Sequence, residues 1–309
     1  GRRIRNVGRV AQITQTLARH GLWSITERMG LRGLLSPDEV RKAEAAAKEA
    51  GEDADGKEVP ENVVVGLPTR LRRIFEELGP AFVKLGQTLA VREDLLAPEY
   101  IAELRKLHAE VATIPYSQIK GVLAEELGSD WHDHFETVSE QPLAAGSIAQ
   151  VHTATLKTGE QVVIKVQRPQ IAQQIDVDLS LMEEIALMVE RYVPEARFVR
   201  PSMMVKELRR ALVGELDFVR EGGNMSKIAK NFDANDNVVI PKVFWDLTSE
   251  RVLTISFLDG IEAWDRDAII EAGIDPVILV ERGLEMFLQM VFVDGLYHGD
   301  LHPGNLRAM

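Results

Sequence analysis

The sequence predicts an α+β domain: a five-stranded antiparallel sheet with helices, preceded by a helical extension. Three observations predict it. Apolar residues recur at steps of three and four between 67 and 126, which is the spacing of a helix face. At Phe135 the pattern changes to short β-branched runs separated by turn residues, which read as strands. Two long helical stretches then separate the third strand-like run from the last two.

The elements follow in order. Residues 1–36 form a basic helical segment, with seven Arg and one Glu in the first 35 residues. Ile4, Val7, Val10, Ile13 and Leu17 make its apolar stripe. Such a helix either docks its stripe on a domain or lies on an anionic membrane surface. Residues 37–66 are rich in Ala, Glu, Lys and Asp and nearly free of large apolar groups, the composition of a linker. Residues 67–134 form the helical extension. Leu71, Ile74, Phe75 and Leu78 give one stripe, Gly79-Pro80 punctuates it, and Phe82, Leu85 and Leu89 continue it. Strands are expected at Phe135–Leu143, Ile148–Leu156 and Val162–Val166, with Lys157-Thr158-Gly159-Glu160 as a hairpin turn. Helices follow over Ile175–Tyr192 and Pro201–Glu221, then strands over Val238–Trp245 and Arg251–Phe257. The sheet-bearing domain spans 135–258, and 259–309 begins a further, mainly helical lobe.

Composition bounds the function. The chain has 309 residues and a net charge of -12, which argues against nucleic acid as a partner. Cysteine is absent, so disulfides, thiolate nucleophiles and thiolate metal sites are excluded. No apolar run reaches the length of a membrane span. Pro276–Tyr297 comes nearest and is broken by Glu281, Arg282, Glu285 and Asp294. The N-terminus has no apolar core of a secretory signal.

The strongest chemical signal is His298-Gly299-Asp300-Leu301-His302-Pro303-Gly304-Asn305. An Asp followed five residues later by Asn, within H-x-D-L-x-x-x-N, resembles the catalytic loop of protein kinases. There the Asp accepts or orients the proton of the attacking hydroxyl, and the Asn holds a Mg²⁺ that bridges the phosphates. The second signal is Lys165, closing Val162-Val163-Ile164-Lys165. A charge ending a buried strand needs partners, and phosphate oxygens with a helix carboxylate are the natural ones. The third is the loop Leu143, Ala144, Ala145, Gly146, Ser147, Ile148, Ala149, Gln150 and Val151, where kinases carry a glycine-rich phosphate loop. Only the middle glycine remains, so the loop is stiffer. It still offers backbone N–H groups to phosphate. The fourth is Glu215-Leu216-Asp217 with Glu221 beyond. On one helix, 215 and 217 point about 200° apart, so one carboxylate pairs with Lys165, and Glu215 is the expected one. The fifth is Lys84-Leu85-Gly86-Gln87 on the upstream helix.

Together these motifs, in this order, resemble the UbiB/ADCK family of atypical kinases, from about Leu67 to the end. The resemblance implies a protein-kinase-like small lobe, an N-terminal helical extension carrying K-x-G-Q, and a large lobe of which only the start is present. It implies ATP or ADP and Mg²⁺ as cofactors. Lys84 and Gln87 would reach into the nucleotide site as regulatory residues, with Asp217 and Glu221 as further acidic pocket residues. Lys165, Glu215 and Asp300 would be catalytic and Asn305 the metal ligand. It implies ATP hydrolysis, or action on a lipid or quinone precursor, in support of isoprenoid-quinone biosynthesis. The implied partners are an anionic membrane surface and quinone-biosynthesis proteins, on the cytoplasmic face of a membrane. Membrane-spanning helices are expected past Met309. Gly299 replaces the Arg of H-R-D, and no D-F-G occurs in the sequence. The alternatives are a small-molecule phosphotransferase of the aminoglycoside or choline kinase type, which lacks the K-x-G-Q helix, and a nucleotide-binding pseudokinase scaffold.

Overall fold

A computed structural model describes residues 2–22, 36–49, 66–107, 112–192, 196–297, 299 and 305–309. By its contacts the chain forms two units. The helical unit gathers Gly1–Val111, Gly146–Ile148 and Gln170–Gly214, and the sheet unit gathers Ala112–Ala145, Ala149–Pro169 and Glu215–Met309. The helices inserted after the third strand-like run therefore group with the N-terminal helices. The Tyr116–Leu127 helix, read from sequence as part of the extension, groups with the sheet.

In the helical unit, Ile74, Phe75 and Leu78 are the buried face of the Leu67–Leu78 helix, as their spacing predicts. Gly79 takes φ +94, a conformation that costs other residues most, and Pro80 starts the next helix, Pro80–Leu89. The N-terminal helix, Arg2–Arg19, buries Val10, Ala11, Ile13 and Ala18. Val10 and Ile13 of its stripe are thus docked within the unit, and Leu17 is half-buried. One buried ion pair fixes the docking. Arg9 grips both oxygens of the fully buried Asp178, at 2.6 and 2.8 Å, and also donates to the Leu78 carbonyl that ends its helix. Burial pushes the Asp178 carboxyl up, and the Arg9 hydrogen bonds oppose that shift. The Pro37–Glu49 stretch of the expected linker is helical, and 50–65 lies outside the described residues.

The main sheet of the sheet unit has five antiparallel strands: β1 Phe135–Val138, β2 Ala144–Ala145, β3 Ala149–Leu156, β4 Gln161–Gln167 and β5 Val252–Ser256. The order is β1-β3-β4-β5, with β2 also pairing β3. The strand number matches the sequence reading, but two elements differ. The expected Phe135–Leu143 strand divides into β1 and β2. The expected Val238–Trp245 strand reduces to one bridge, Val243 to Ile255. Pro241 has no N–H to donate to a ladder, and a short 3-10 turn begins at Trp245.

Strand alternation sorts the core onto two faces. On one face Val162, Ile164 and Val166 of β4, with Ala154, Leu156 and Val252, pack against Ile119, Val122 and Leu123 of the Tyr116–Leu127 helix. On the other, Ala149 and Leu253 pack with Val243 and Phe218, the first residue of the Phe218–Asn231 helix. The Pro276–Leu288 helix has no buried residue, and Val277, Val280 and Leu284 on it are exposed. Among the described residues, no helix is long and apolar enough to cross a membrane.

A polar network lies beneath the first face. His152 is buried, and its Nδ1 lies 2.8 Å from the Ser139 carbonyl, which can only accept, so Nδ1 carries the proton. Nε2 then accepts from the Gln150 amide at 2.9 Å. Gln150 Oε1 in turn accepts from the Ile114 N–H at 2.9 Å. Both imidazole nitrogens are thus used by the neutral ring, and burial pushes its pKa below the ordinary value. A depressed histidine contributes stability that is present above about pH 6.5 and lost as pH falls through the folded value. Urea midpoints of the wild type should therefore drop between pH 8 and pH 5, and His152→Gln should flatten that drop. An unchanged pH slope in the variant would exclude this imidazole as its source.

Candidate nucleotide site

The site starts from the register of β4. Lys165 stands opposite Val151 on β3 and Leu253 on β5, so all three share the face that carries Phe218. Val162, Ile164 and Val166 flank Lys165 at odd offsets and fill the opposite face. The lysine Nζ lies 2.9 and 2.8 Å from the two carboxylate oxygens of Glu221, and 4.6 Å from the centroid of the Phe218 ring. Both members of the pair are about one-third exposed. The ammonium is thus held by an anion on one side and an aromatic face on another, and it still reaches solvent.

This corrects the expected pairing with Glu215. The carboxylate bound to Lys165 is that of Glu221, and the reason is a helix break. Pro201–Glu215 ends at Glu215. Asp217 caps the following helix, its side chain accepting from the Arg220 N–H at 2.9 Å. Residues 215 and 221 therefore stand on two helices. Phe218 and Glu221 are three apart on the second, which places them on one face. Gly222 continues that face. A Cβ there would meet Trp245, Leu253 and Val243 at 3.2–3.3 Å, so the glycine brings the helix close to the sheet. Asp217, expected as a pocket residue, serves here as a helix cap.

The 143–151 loop is divided in use. Ala144 and Ala145 pair with Val151 and Gln150, and the Leu143 N–H donates to the Val151 carbonyl at 2.8 Å. Gly146, Ser147 and Ile148 group with the helical unit. Ala149 and Val151 lie on the Lys165 face. Gln150, expected among the nucleotide contacts, is one residue out of phase with them. Its side chain is buried on the opposite face and bound to Ile114 and His152.

His298, Asp300 and Leu301–Gly304 lie outside the described residues, so the central motif is represented by its ends. Asn305 is exposed. Two residues later, strand β7 (Arg307–Ala308) pairs antiparallel with β6 (Ile261–Glu262), and Arg307 reaches Glu262 at 3.0 Å. The strands come close because Gly260 has no side chain: a Cβ there would lie 2.8 Å from the Ala308 carbonyl. Upstream, a π-helical turn at Gln289–Asp294 leads into the motif, and such turns recur at functional sites. No cluster of three metal-ligating side chains is present among the described residues.

Lys84 and Gln87 lie on the Pro80–Leu89 helix of the helical unit, where the Gln87 amide donates to the Leu107 carbonyl at 3.3 Å. Gly86 between them is buried, and a Cβ there would meet Leu107 at 2.3 Å and Phe75 at 2.6 Å. Sequence reasoning missed Phe218, Gly222 and Gln167. Gln167 donates to the Leu216 carbonyl at 2.5 Å and the Glu250 carbonyl at 3.0 Å, and it anchors the chain just before the Phe218–Asn231 helix. The available signal was the capping residue Asp217, which separates Glu215 from Glu221.

The sheet, the lysine–carboxylate pair on its inner face and the paired strand after an H-x-D-L-x-x-x-N motif define the small lobe of a kinase-like fold. The chain belongs to the ABC1 atypical kinase-like domain family, whose pattern matches residues 106–309. It is 39% identical over 237 residues to a probable protein kinase UbiB of Marinobacter nauticus, covering 77% of this chain and 43% of that one. It is 40% identical over 238 residues to the corresponding protein of Aeromonas salmonicida, covering 77% and 44%. A solved structure, described as the complex of Rv3197 with erythromycin from Mycobacterium tuberculosis, matches with a TM-score of 0.51 and 27% identity over 87% of this chain and 63% of that one. The chain therefore spans less than half the length of the curated relatives named here. Family and fold together support a phosphotransferase-like class.

The Gly86 geometry makes a prediction whose sign opposes helix propensity. In an open helix, Gly→Ala stabilises by about 1 kcal/mol. Here Gly86→Ala should destabilise by about 1–3 kcal/mol through overpacking, read as a lower urea midpoint. Added stability would show that Phe75 and Leu107 yield freely.

Proposed function

We propose that the chain carries the nucleotide-binding half of a UbiB-type atypical kinase or ATPase. It binds ATP with Mg²⁺ and serves isoprenoid-quinone biosynthesis at a membrane, with a lipid or quinone precursor as acceptor or effector. The observation that carries this reading is the Lys165–Glu221 pair beside Phe218. A partly exposed ammonium already oriented by a carboxylate suits phosphate oxygens, because positioning and charge neutralisation are most of what phosphoryl transfer needs from a protein.

In this reading Lys165 holds phosphate oxygens, and Glu221 keeps the ammonium from swinging away. Backbone N–H groups of the 143–149 loop cover the phosphates. Asp300 orients the attacking water or hydroxyl and takes its proton. Asn305 contributes an amide oxygen to Mg²⁺, whose charge, when bound, offsets that of the phosphates. Magnesium is commonly bound through one or two carboxylates plus phosphates and water; this sequence contains no D-F-G Asp, so Asn305 would be only part of the ligand set. Lys84 and Gln87 act as regulatory residues. The nearness to quinone chemistry and to a membrane is what the resemblance to the UbiB family implies.

Steady-state ATPase measurements on the full-length protein test the assignment. Asp300→Asn should lower turnover by about 10²–10⁴-fold, the usual contribution of a positioned proton acceptor, with ATP affinity kept. Lys165→Met and Glu221→Gln should each cost about a hundredfold through misplaced phosphates. The double variant should be no worse than either, because the two act as one unit. Additive losses would separate the pair, and full turnover in Asp300→Asn would remove the catalytic assignment.

A further inference from the structure

The Ile171–Tyr192 and Pro201–Glu215 helices form a hairpin whose tip has no other role in the functional reading. The two arms are tied at the tip, where Glu190 Oε1 accepts from the Ser202 N–H at 2.8 Å. Around that tie stand four large apolar side chains in solvent. Phe198 is 92% exposed, Leu187 53%, Met203 46% and Met188 37%. A phenylalanine left this open is unusual, since its burial is among the larger apolar gains a protein can make. The charge around it is also out of character. Arg191, Arg200 and Lys206 stand near it against Glu190, in a chain whose net charge is -12. Ser202 binds the Glu190 carboxylate, and Lys206 and Arg200 help to hold its pKa below the usual carboxylate range, which places both cations near the tip.

We propose that this hairpin tip is a membrane-docking element that inserts Phe198, with Leu187 and Met203 beside it, into the headgroup layer of an anionic phospholipid bilayer. The inference rests on the membrane part of the preceding reading and not on its chemistry. Three points favour lipid over a protein surface. Four side chains on a turn two helices wide fall short of the roughly 800 Å² per partner that a stable protein interface buries. An exposed aromatic side chain with Leu and Met near it, and with Arg200 and Lys206 at the same tip, is the composition that settles at an anionic bilayer interface. The other basic amphipathic candidate, the Arg2–Arg19 helix, has buried Val10, Ala11 and Ile13 inside its own unit.

Co-sedimentation with vesicles tests this, using phosphatidylcholine alone and phosphatidylcholine with about one-third phosphatidylglycerol. The wild type should bind the mixed vesicles and bind phosphatidylcholine weakly. Phe198→Ala should weaken binding about ten- to a hundredfold, the factor expected from losing one buried aromatic side chain. Phe198→Asp should abolish it, and Arg200→Glu with Lys206→Glu should remove the preference for phosphatidylglycerol. These side chains are exposed, so thermal midpoints should stay near wild type. Wild-type binding that Phe198→Asp leaves intact would overturn the docking site and spare the membrane reading. Absence of wild-type binding to either vesicle would overturn both. A self-association seen by sedimentation velocity and broken by Phe198→Asp, without lipid binding, would assign the tip to a second copy of the chain.

Discussion

The two-residue period of β4 is the constraint on which the candidate site depends. Val162, Ile164 and Val166 are fully buried on one side of the sheet, and their burial, at about 1.5–3 kcal/mol each, fixes which way the strand faces. Lys165 is then forced to the other side. A slip of one residue would put the ammonium into the apolar core and three aliphatic side chains into the cleft. The core therefore sets the position of the charge, and the pair with Glu221 only has to orient it. A partly exposed pair suits that role, because a fully buried one would carry a desolvation cost that competes with ligand binding.

The opposite member of the pair is positioned by equally plain means. Asp217 starts a new helix by capping it, Phe218 anchors that helix in the apolar face, and Gly222 lets it sit close to Leu253 and Val243. Glu221 lies between these two anchors. It has little freedom to leave the lysine unless the helix itself lifts from the sheet. The far end of the same helix packs Ile228, with Phe232 just beyond it, against Met290, at the turn leading into the H-x-D-L-x-x-x-N motif.

Much of this was legible in the sequence, and the failures have physical causes. The β3–β4 hairpin, the Lys165 strand and the Ile74, Phe75, Leu78 stripe rest on strong periodicity, and local pattern sufficed. The pairing of Glu215 with Lys165 failed because a continuous helix was assumed across Leu216-Asp217, where a capping residue breaks it. The Val238–Trp245 strand failed because β-branched composition outweighed Pro241. Gln150 was placed with the nucleotide loop by motif, although alternation from Val151 puts its side chain on the far face. The stripe of the N-terminal helix was ambiguous by nature, since a protein core and a bilayer reward the same spacing. At Val10 and Ile13 the structure buries it, and Arg9 holds that part through Asp178, a contact 169 residues away in sequence.

The two buried glutamines of the sheet show how the chain is held where it passes between units. Apart from its return at Ala149, it enters the sheet unit first at Ala112 and a second time at Glu215. Close after the first entry, the Gln150 amide takes the Ile114 N–H and faces its carbonyl at 3.4 Å, in the manner of a neighbouring strand. Close after the second, the Gln167 amide holds the Leu216 carbonyl. Ala149 pairs with Gln167 and Gln150 with Val166, so both clamps sit at the same end of the β3–β4 ladder. Carboxamides fit this task better than charged groups. They satisfy backbone donors and acceptors directly, and they add no charge that burial would penalise. Near the first clamp, Arg168 donates to the Ala112 carbonyl at 2.8 Å. Two crossings are thus fastened to one rigid edge of the sheet, a few residues from Lys165.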